Sequence, residues 1–504
     1  MTRFISLTLA VLVLIAACGD DDNVGENCFE SPELPECVEA CREDPTRAFC
    51  GDMGIPGDMP DTGDMGPCGD CGDQLCDTES SMCVDCLSES ECTTAEASAC
   101  GSDGSCEACA TDDDCDHDDL PPVCVTGEGC FECGDSNVES DDCSGATPVC
   151  DGTERSCRAC AEHAECAAGL CVDGACPPAS DIVWVDGDDS ACDDGGTGTS
   201  AVPFCEIQAG LDAGAEFVAV RDSTTNYAWF QWDTGERATI VGVGDRSDIN
   251  IRRTEAGEDT VRCVSGSTLS LRGLSVLGQQ TAPTTGAGVF ASDCTLTLTD
   301  VSVSGNGQAG VSATGGTVTL TDVSVSGNGG VGIAASAAAD VTIRRSTIQD
   351  NRDGGLELES VRFDVENCVI GGLGTDANGS ADADFGGVRI TSPMAGSRFV
   401  NNSVLNNVAP LALSAGVLCG APFDIKNSLV HGHGATNLSP MCTSSDSHVS
   451  GADPSLDTDG IHLTASSGCC LDMADDAEAP ADDIEGDERP CGAGADIGAD
   501  EHCP

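Results

Sequence analysis

The decapeptide LTDVSVSGNG occurs twice in this chain, at residues 298–307 and again at 320–329. Related segments continue the series; their aligned starts are Leu296, Val318, Val341, Phe363, Arg398 and Phe423, separated by 22, 23, 22, 35 and 25 residues. Within each copy, aliphatic residues alternate with small polar ones. A period in the low twenties combined with alternation of period two predicts a solenoid of short strands.

Stacked copies of this repeat predict an all-β fold, a parallel β-helix. A coil of about 22 residues holds three short strands and their turns, and successive coils stack at about 4.8 Å. We expect the inward-facing residues to form one aliphatic ladder of Leu298, Leu320, Ile343, Val365, Val400 and Ile425. At one turn, we expect Asn306, Asn328 and Asn351 to adopt the left-handed conformation and to bond their amides from coil to coil.

The charge of the chain argues against nucleic acid as a partner. The sequence has 88 acidic and 20 basic residues and a formal net charge of -68, whereas phosphate binding depends on clusters of Lys and Arg. We interpret the acidic excess as a solvated surface. The 36 cysteines indicate an oxidising compartment, because disulfides in such number form and persist outside the cytosol.

The N-terminus resembles a bacterial lipoprotein signal peptide, predicted at residues 1–17. The apolar run FISLTLAVLVLIAA is too short for a membrane span, and Ile15-Ala16-Ala17-Cys18 matches the motif in which the Cys is lipidated. The resemblance implies a membrane anchor through Cys18. Because Gly19 rather than Asp follows, we expect outer-membrane placement, on its periplasmic side or at the cell surface.

Residues 18–67 form a predicted tether. The run GDMGIPGDMPDTGDMG is too polar and too broken to pack, and its acidic residues keep it extended. Four cysteines precede that run. The sequence from 68 to 178 then repeats short cysteine-rich units, each with about four cysteines, and these units resemble repeats in surface proteins of myxobacteria.

Disulfides are the preferred interpretation of this array. Cys-x-x-Cys pairs can also hold zinc, but regular repetition outside the cell favours bridges. The candidate residues are Cys86, Cys92, Cys100, Cys106, Cys109, Cys115, Cys124, Cys130, Cys133, Cys143, Cys150, Cys157, Cys160, Cys166, Cys171 and Cys176. Their connectivity stays open.

Residues 181–504 resemble right-handed parallel β-helix proteins of the pectate-lyase-like class. Gly198-Thr199, Pro203-Phe204 and Ile207-Gln208 match the class's first coil, with a cap helix over 207–213. The resemblance implies a right-handed parallel β-helix with roughly 22–25 residues per coil.

The end of the chain is similar to the closing segment of choice-of-anchor Q β-helix proteins. The matching residues are Asp453-Pro454, Asp459-Gly460, His462-Leu463, Ser467, Asp472, Gly486, Arg489-Pro490, Asp496-Ile497-Gly498-Ala499 and Glu501.

No residue is assigned a catalytic role from the sequence. Gly432-His433-Gly434 occurs, but the N-T-D and R-I-K motifs of polygalacturonases are absent, and we interpret His431 and His433 as turn residues. A lyase needs a base beside carboxylates that hold Ca²⁺. The nearest set is Arg344, Arg345 and Arg352 with Asp350 and Asp353, for which solvated surface charge is the alternative.

The loop of the first coil is rich in aspartate. Calcium is a candidate ligand there, and a solvated turn is the alternative; no other cofactor is indicated. The residues concerned are Asp186, Asp188, Asp189, Asp193 and Asp194. Cys192 and Cys205 flank this loop closely enough to form a disulfide. The β-helix region holds 11 cysteines, an odd number, and Cys368 occupies the position of Val323 in its coil, either as a buried free thiol or as part of the inward stack.

Two functions follow as alternatives. The first is a surface lipoprotein whose β-helix has a structural or adhesive role, binding an extracellular glycan or a surface protein. The second is a carbohydrate-active enzyme, a polysaccharide lyase or glycoside hydrolase. A ladder of small polar residues would favour the first, and Arg and Asp side chains converging on one cleft would favour the second.

Overall fold

A computed structural model describes residues 75–77, 82–84, 92, 94, 97–102, 105–115, 121–126, 128–134, 137–140, 142–253, 257–278, 286–337, 340–409, 414–433, 436–449 and 452–503. They form two compact units. The first extends to Ala110 and includes His117–Asp119 and Thr126–Gly129; the second comprises Thr111–Asp116, Leu120–Val125 and Cys130–Pro504. The proposed leader, Cys18 and the tether lie outside the described residues.

The cysteine-rich part contains short strands. These are β1 (Leu75–Asp77), β2 (Met82–Val84), β3 (Ala99–Cys100), β4 (Cys106–Glu107), β5 (Val123–Val125), β6 (Gly129–Phe131), β7 (Val149–Asp151) and β8 (Ser156–Arg158). Antiparallel pairs form between β1 and β2, β3 and β4, and β7 and β8, and β5 and β6 form a further two-stranded sheet.

Disulfides cross-link these small hairpins, which bury little apolar surface of their own. The bonded pairs are Cys92–Cys106, Cys115–Cys130, Cys133–Cys150, Cys143–Cys157, Cys160–Cys171 and Cys166–Cys176. Cys100, Cys109 and Cys124 are also disulfide-bonded, and Cys86 lies outside the described residues. The last of these cysteine-rich residues pack on the β-helix, where Leu170 and Val172 contact Trp184 and Val241.

The rest of the second unit is a column of short strands and one helix. In chain order these are β9 (Ile182–Val185), α1 (Ile207–Asp212), β10 (Phe217–Arg221), β11 (Tyr227–Ala228), β12 (Phe230–Trp232), β13 (Arg237–Val243), β14 (Asn250–Arg252), β15 (Val261–Val264), β16 (Thr268–Leu277), β17 (Val289–Ser292), β18 (Thr295–Ser304), β19 (Val311–Thr314), β20 (Thr317–Thr321), β21 (Ser324–Ser326), β22 (Val331–Ser336), β23 (Asp340–Arg344), β24 (Thr347–Gln349), β25 (Gly354–Glu359), β26 (Arg362–Glu366), β27 (Val369–Gly371), β28 (Val388–Thr391), β29 (Arg398–Val400), β30 (Ser403–Leu405), β31 (Val417–Cys419), β32 (Phe423–Lys426), β33 (Leu429–His431) and β34 (Cys442–Ser445).

The strands stack in three parallel sheets, which confirms the predicted parallel β-helix. Sheet 1 contains β9, β10, β13, β16, β18, β20, β23, β26, β29, β32 and β34. Sheet 2 contains β11, β14, the second halves of β16 and β18, then β21, β24, β27, β30 and β33. Sheet 3 contains β12, β15, β17, β19, β22, β25, β28 and β31. The duplicated decapeptides lie one above the other, with Leu298 opposite Leu320 and Val303 opposite Val325.

A residue in the left-handed conformation turns the chain at most corners of a coil, and two consecutive ones do so at Ser265–Gly266 and at Gly315–Gly316. Left-handed backbone favours Gly, Asn and Asp, which explains part of the abundance of these residues. The column after sheet 1 is Gly273, Asp300, Asp322, Arg345, Asn367, Asn401, Asn427 and Asp446; after sheet 2 it includes Gly305, Gly327, Asp350, Asn406 and Gly432; after sheet 3 it is Ser265, Asp293, Gly315, Ala337, Ser360 and Ser392.

The inward-facing ladder of sheet 1 differs from the prediction at one coil. Leu298, Leu320, Ile343 and Val365 follow one another in register. The next rung is Phe399 rather than Val400, because Val365 pairs with Phe399 and Glu366 with Val400. The predicted register was therefore wrong by one residue, which moves a side chain to the opposite face of the strand.

Buried asparagines form a second ladder, at the turn after sheet 2. The Asn306 Nδ2 donates to the Asn328 Oδ1 at 3.0 Å, and the Asn328 Nδ2 donates to the Asn351 Oδ1 at 2.8 Å. The ladder continues beyond the predicted residues to Asn378 and Asn407. Buried amides need such partners.

The expected backbone conformation of these asparagines was wrong. Gly305, Gly327 and Asp350, each directly before a ladder residue, carry the positive φ values of 67°, 64° and 50°. The asparagines contribute their amides rather than their conformational freedom. They recur along the column because, from Asn328 onward, each amide bonds to the main chain of the preceding coil.

His433 ends this ladder in the place of an asparagine. Its Nδ1 accepts from the Asn407 N–H at 3.0 Å, and its Nε2 lies 3.1 Å from the Val404 carbonyl oxygen. In the coil before, Asn407 has the same two contacts, with its Oδ1 and Nδ2. His433 is thus a buried turn residue, and its burial lowers its pKa to about 4.

Disulfides cross-link the column at its first coil, within its core and at its last coils. Cys192–Cys205 closes the first-coil loop, Cys263–Cys294 joins two coils within the core, and Cys419–Cys442 joins the last coils. Cys368 is the one unpaired cysteine of the described residues, and it is buried. Burial raises the pKa of its thiol to about 12, so it remains protonated and inert.

The closing segment, residues 453–503, has no strand and covers the outer side of sheet 2. Leu463, Ile497 and Ala499 pack against Leu405 and Leu429. These two leucines would otherwise expose apolar surface, because the inward positions of β30 and β33 belong to Val404 and Val430. The cover explains why this part of the sheet is apolar on both faces.

Polar contacts fix the closing segment to the corner column. The Asn401 Nδ2 donates to the Asp496 carbonyl at 2.9 Å, and the Ala499 N–H donates to the Ser403 Oγ at 3.0 Å. Within the segment, the buried side chains of Arg489 and Glu501 form an ion pair at 3.2 Å. Removing one member would leave the other charge buried and unpaired.

The short helix α1 covers the first coil through Ile207 and Leu211, which are buried in the main core. Its bounds agree with the predicted cap helix to within one residue. None of the helices described is long and apolar enough to cross a membrane.

The asparagine ladder predicts a large effect of a small substitution. Asn351→Ala should lower the free energy of unfolding by at least about 2 kcal/mol, because Asn328 loses its buried acceptor and the Val325 carbonyl loses its donor. Asn250→Ala is the matched control: its exposed amide bonds only locally, to the Ser247 carbonyl, and the change should stay within about 0.5 kcal/mol. Urea unfolding followed by circular dichroism measures both; equal effects would contradict the ladder's role.

His433 predicts an acid-sensitive contribution to stability. Its pKa falls from 6.5 in the unfolded chain to about 4 in the fold. Between these values the unfolded chain binds a proton that the folded chain does not, so the free energy of unfolding decreases as the pH falls through this window. His433→Asn keeps an acceptor and a donor there and should remove about 1–3 kcal/mol of this loss between pH 7 and pH 4.5. Unfolding midpoints at both pH values test it; an unchanged pH dependence would contradict the assignment.

Candidate functional site

The outer side of sheet 1 carries a flat array of hydroxyl groups, here named the hydroxyl face. It is defined by the outward residues of β18 and β20, with Thr268, Ser270 and Thr342 from the adjacent strands. β18 and β20 place only threonine here: Thr295, Thr297, Thr299, Thr317, Thr319 and Thr321. Because the coils are in register, the threonines form straight rows along the axis, such as Thr297, Thr319 and Thr342.

The hydroxyl face follows from the alternation in the repeat. Leu296, Leu298, Val318 and Leu320 point inward and are buried, so the intervening threonines must point outward. Within each row, successive hydroxyl residues lie about 4.8 Å apart along the axis, and neighbouring rows lie about 6.6–6.8 Å apart. The face is therefore a regular lattice of hydroxyl groups.

The cysteine-rich residues border one end of this face. The Asp173 carboxylate forms an ion pair with Arg272 at 2.6 Å. Leu170 and Val172 cover the outward residues of the first strands of sheet 1, including Ala219. The hydroxyl face begins where this cover ends.

A charged cleft borders the other end. Its volume is about 290 Å³, and its polar lining comes from Asp340, Thr342, Arg362, Asp364 and Arg398. Arg362 forms an ion pair with Asp340. The outer side of sheet 1 thus changes from hydroxyl groups to charges within one coil, between β20 and β23.

Two carboxylates on alternate residues of β26 lie between two arginines at this cleft. Arg344 contacts both, at 3.3 Å from Asp364 and 3.3 Å from Glu366. Arg398 contacts Glu366 at 2.6 Å and Asp364 at 3.4 Å. Burial of Glu366, reinforced by the charge of Asp364, raises its pKa above the ordinary value, although both arginines oppose this. A carboxyl with a raised pKa is suited to donate a proton.

The structure does not bring the predicted lyase set together. Arg344 contacts the carboxylates of β26, whereas Arg345 lies at the corner and contacts Asp322 at 2.8 Å and Asp482 at 2.5 Å. Asp350, Arg352 and Asp353 belong to the turn after sheet 2. The charge cluster beside the cleft instead joins Arg344 to Asp364, Glu366 and Arg398, which come from the next two coils.

The aspartates of the first-coil loop serve as acceptors for the loop's own backbone. The Asp186 Oδ1 accepts from the N–H groups of Asp188 and Asp189, each at 3.1 Å, and its Oδ2 lies 3.5 Å from Arg221. The Asp193 Oδ1 accepts from Gly195 at 3.0 Å.

The Asp189 Oδ1 likewise accepts from the Ala191 N–H, at 2.8 Å, whereas Asp188 and Asp194 fix the loop to its neighbours. The Asp188 Oδ2 accepts from the Thr224 N–H at 2.7 Å, and the Asp194 Oδ1 accepts from the N–H groups of Cys205 and Glu206 at 2.7 Å and 3.0 Å. These contacts account for the loop as a structural turn. Calcium binding there stays a prediction.

Asp457, Asp459 and His462 also place possible metal-ligating atoms within 4.8 Å of one another. Both nitrogens of His462 already face carboxylates, Nδ1 at 2.5 Å from Asp459 and Nε2 at 2.9 Å from Glu485. Burial lowers the pKa of His462, but these carboxylates outweigh it and raise the pKa to about 9. The imidazolium itself neutralises the cluster.

Comparison with known families agrees with this architecture. Residues 261–470 match the family described as right handed beta helix region. The domain is a right-handed parallel β-helix. No curated protein matches the chain. Proteins of one fold differ in function, so the side chains on the outer side of sheet 1 carry the functional argument.

Sequence reasoning missed Asp364, Glu366 and Arg398 as a group. Asp364 and Arg398 are 34 positions apart, and the chain between them is longer than an ordinary coil. The signal was present in the aligned repeats, where Asp340-Val-Thr-Ile-Arg344 is followed by Arg362-Phe-Asp-Val-Glu366. Charges at outward positions of adjacent copies must meet when the copies stack.

The charge cluster predicts unequal effects of two arginine substitutions. Arg398→Met should lower the free energy of unfolding by about 1–3 kcal/mol, because Glu366 is only 5% exposed and loses a charged partner. Arg362→Met is the control: its side chain is 55% exposed and pairs with Asp340, so we expect a loss of about 0–1 kcal/mol. Urea unfolding at pH 7 compares them. A larger loss for Arg362→Met would contradict the assigned importance of Glu366.

Proposed function

We propose that this protein is a lipid-anchored surface protein whose β-helix binds a linear extracellular glycan along the hydroxyl face. The observation that carries the proposal is the uncharged array of six threonines on β18 and β20. In a chain with 88 acidic residues, these two adjacent strands carry no charge on the outer side of sheet 1.

The geometry of the face suits a repeating polymer. Equivalent hydroxyls recur at each coil, so a chain of sugar units lying along the axis would meet the same donors and acceptors repeatedly. Each hydrogen bond contributes only about 0.5–1.5 kcal/mol, and affinity would accumulate over several units. The net charge of -68 favours an uncharged glycan over an anionic one.

The N-terminal sequence supports display outside the cell. The lipoprotein-like leader over 1–17 and Cys18 would supply an acyl anchor in the outer membrane, and the acidic tether over 18–67 would hold the domain away from the membrane. The likeness of the closing segment to choice-of-anchor Q proteins supports the same placement, as does the likeness of the cysteine-rich repeats to myxobacterial surface proteins.

A carbohydrate-active enzyme is the second candidate, and the cleft favours it. Asp364 and Glu366 are two neighbouring carboxylates, and the raised pKa of Glu366 suits a general acid. Arg344 and Arg398 would hold an acidic sugar beside them. In this alternative, the hydroxyl face would guide the polymer into the cleft.

Binding assays test the first proposal. Purified full-length protein is mixed with neutral and acidic polysaccharides, and retention is measured by affinity electrophoresis. The double variant Thr297→Val and Thr319→Val should weaken binding about thirtyfold, since two hydrogen bonds of about 1 kcal/mol are lost without a change of side-chain shape. The matched control is Thr314→Val, on the outer side of sheet 3. Equal binding by the double variant and the wild type would exclude the hydroxyl face as the contact surface.

Product analysis separates the two candidates. The same mixtures are assayed for new reducing ends and for unsaturated ends, with and without Ca²⁺. The enzyme alternative predicts products that disappear in Glu366→Gln while binding persists, because the amide cannot donate a carboxyl proton. Binding without products, in the wild type as in Glu366→Gln, is the outcome expected from a binding protein.

A further inference from the structure

Two adjacent cysteines and a histidine meet on the outer side of sheet 2. Cys469 and Cys470 belong to the closing segment, and His448 follows β34 and pairs with Leu429 of β33. The potential ligand atoms of the three residues lie within 4.8 Å of one another. Cys470 is fully buried, while Cys469 and His448 are half-buried, so solvent reaches one side of this cluster.

The disulfide between Cys469 and Cys470 contributes little to the stability of the fold. A disulfide stabilises a protein mainly by closing a loop of the unfolded chain, and the effect grows with loop length. The other disulfides of the second unit join residues between 10 and 31 positions apart, whereas these two are adjacent. Cross-linking of the chain therefore does not account for this pair.

The main chain holds His448 and Cys470 in place. The His448 N–H donates to the Ser428 carbonyl at 3.0 Å, within the stack of coils, and the Ile497 N–H donates to the Cys470 carbonyl at 2.9 Å. The His448 Nε2 lies 3.3 Å from the Ala452 carbonyl oxygen. A carbonyl oxygen beside one ring nitrogen fixes the orientation of the imidazole, as in metal-ligating histidines.

We infer that Cys469, Cys470 and His448 form a redox-controlled site for a soft metal ion. An external dithiol transfers two hydrogen atoms to the pair: the S–S bond breaks, two thiols form, and the dithiol becomes a disulfide. Each thiol then loses its proton as the ion binds. Two thiolates and one imidazole suit Zn²⁺ or Cu⁺ rather than Ca²⁺ or Mg²⁺. The oxidised pair is the form that does not bind the ion.

The test uses full-length protein and Co²⁺ as a spectroscopic probe of the site. The protein is treated with increasing dithiothreitol, opened cysteines are mapped by alkylation and mass spectrometry, and the dithiol is removed without oxygen before Co²⁺ is added. We expect Cys469–Cys470 to open before the other disulfides. The reduced protein should then bind one Co²⁺ with a thiolate-to-cobalt absorption band that Zn²⁺ abolishes, whereas the oxidised protein should show no band.

Variants assign the band to these residues. The double variant Cys469→Ala and Cys470→Ala should lose the band and remain folded. Its unfolding midpoint should fall only by the cost of removing the buried Cys470 sulfur, since the bond closes no loop of useful length. His448→Ala should weaken Co²⁺ binding at least about tenfold, and His502→Ala, in the same segment, should leave it unchanged. Earlier opening of other disulfides, or an equal band in the double-cysteine variant, would overturn the inference.

Discussion

In-register hydrogen bonding between parallel coils is the constraint on which the other features depend. Because each strand pairs with the equivalent strand one coil away, every side chain lies above its counterpart. Leu298 over Leu320, Asn306 over Asn328 and Thr297 over Thr319 are the same relation in the core, at a corner and on the surface. The residue type at each position therefore depends more on the equivalent residues of the adjacent coils than on its neighbours in sequence.

Each column of equivalent residues also has to end, and different residues occupy the end positions. His433 completes the asparagine ladder with a neutral ring whose two nitrogens replace an amide. The closing segment covers the outward leucines of sheet 2 and brings its own buried ion pair of Arg489 and Glu501. Because this pair is fully desolvated, its contribution depends on both partners remaining in place.

Features that repeat from coil to coil could be predicted from the sequence, whereas features formed by residues that occur only once could not. Alternation and period were enough for the coils, the inward ladder up to Val365 and the asparagine column, because each rests on many equivalent residues. The longer coil before Arg398 shifted the register by one residue, which repeat alignment alone cannot detect. The cleft was missed because Arg344, Asp364 and Arg398 converge only after stacking, and the role of the closing segment was missed because it carries no period.

The corner residues restrict where the chain of a coil can be lengthened or shortened. Between β27 and β28 the chain is longer than in other coils, yet Asn378 still takes its place under Asn351, so the additional residues leave the column outside the strands. Duplication of a whole coil, of which the repeated decapeptide is an example, lengthens the protein while each new residue makes the same type of contact as its counterpart. Loss of one residue within a strand would instead move every following side chain of that strand to the opposite face of the sheet. Growth by whole turns is thus the route of variation that this architecture leaves open.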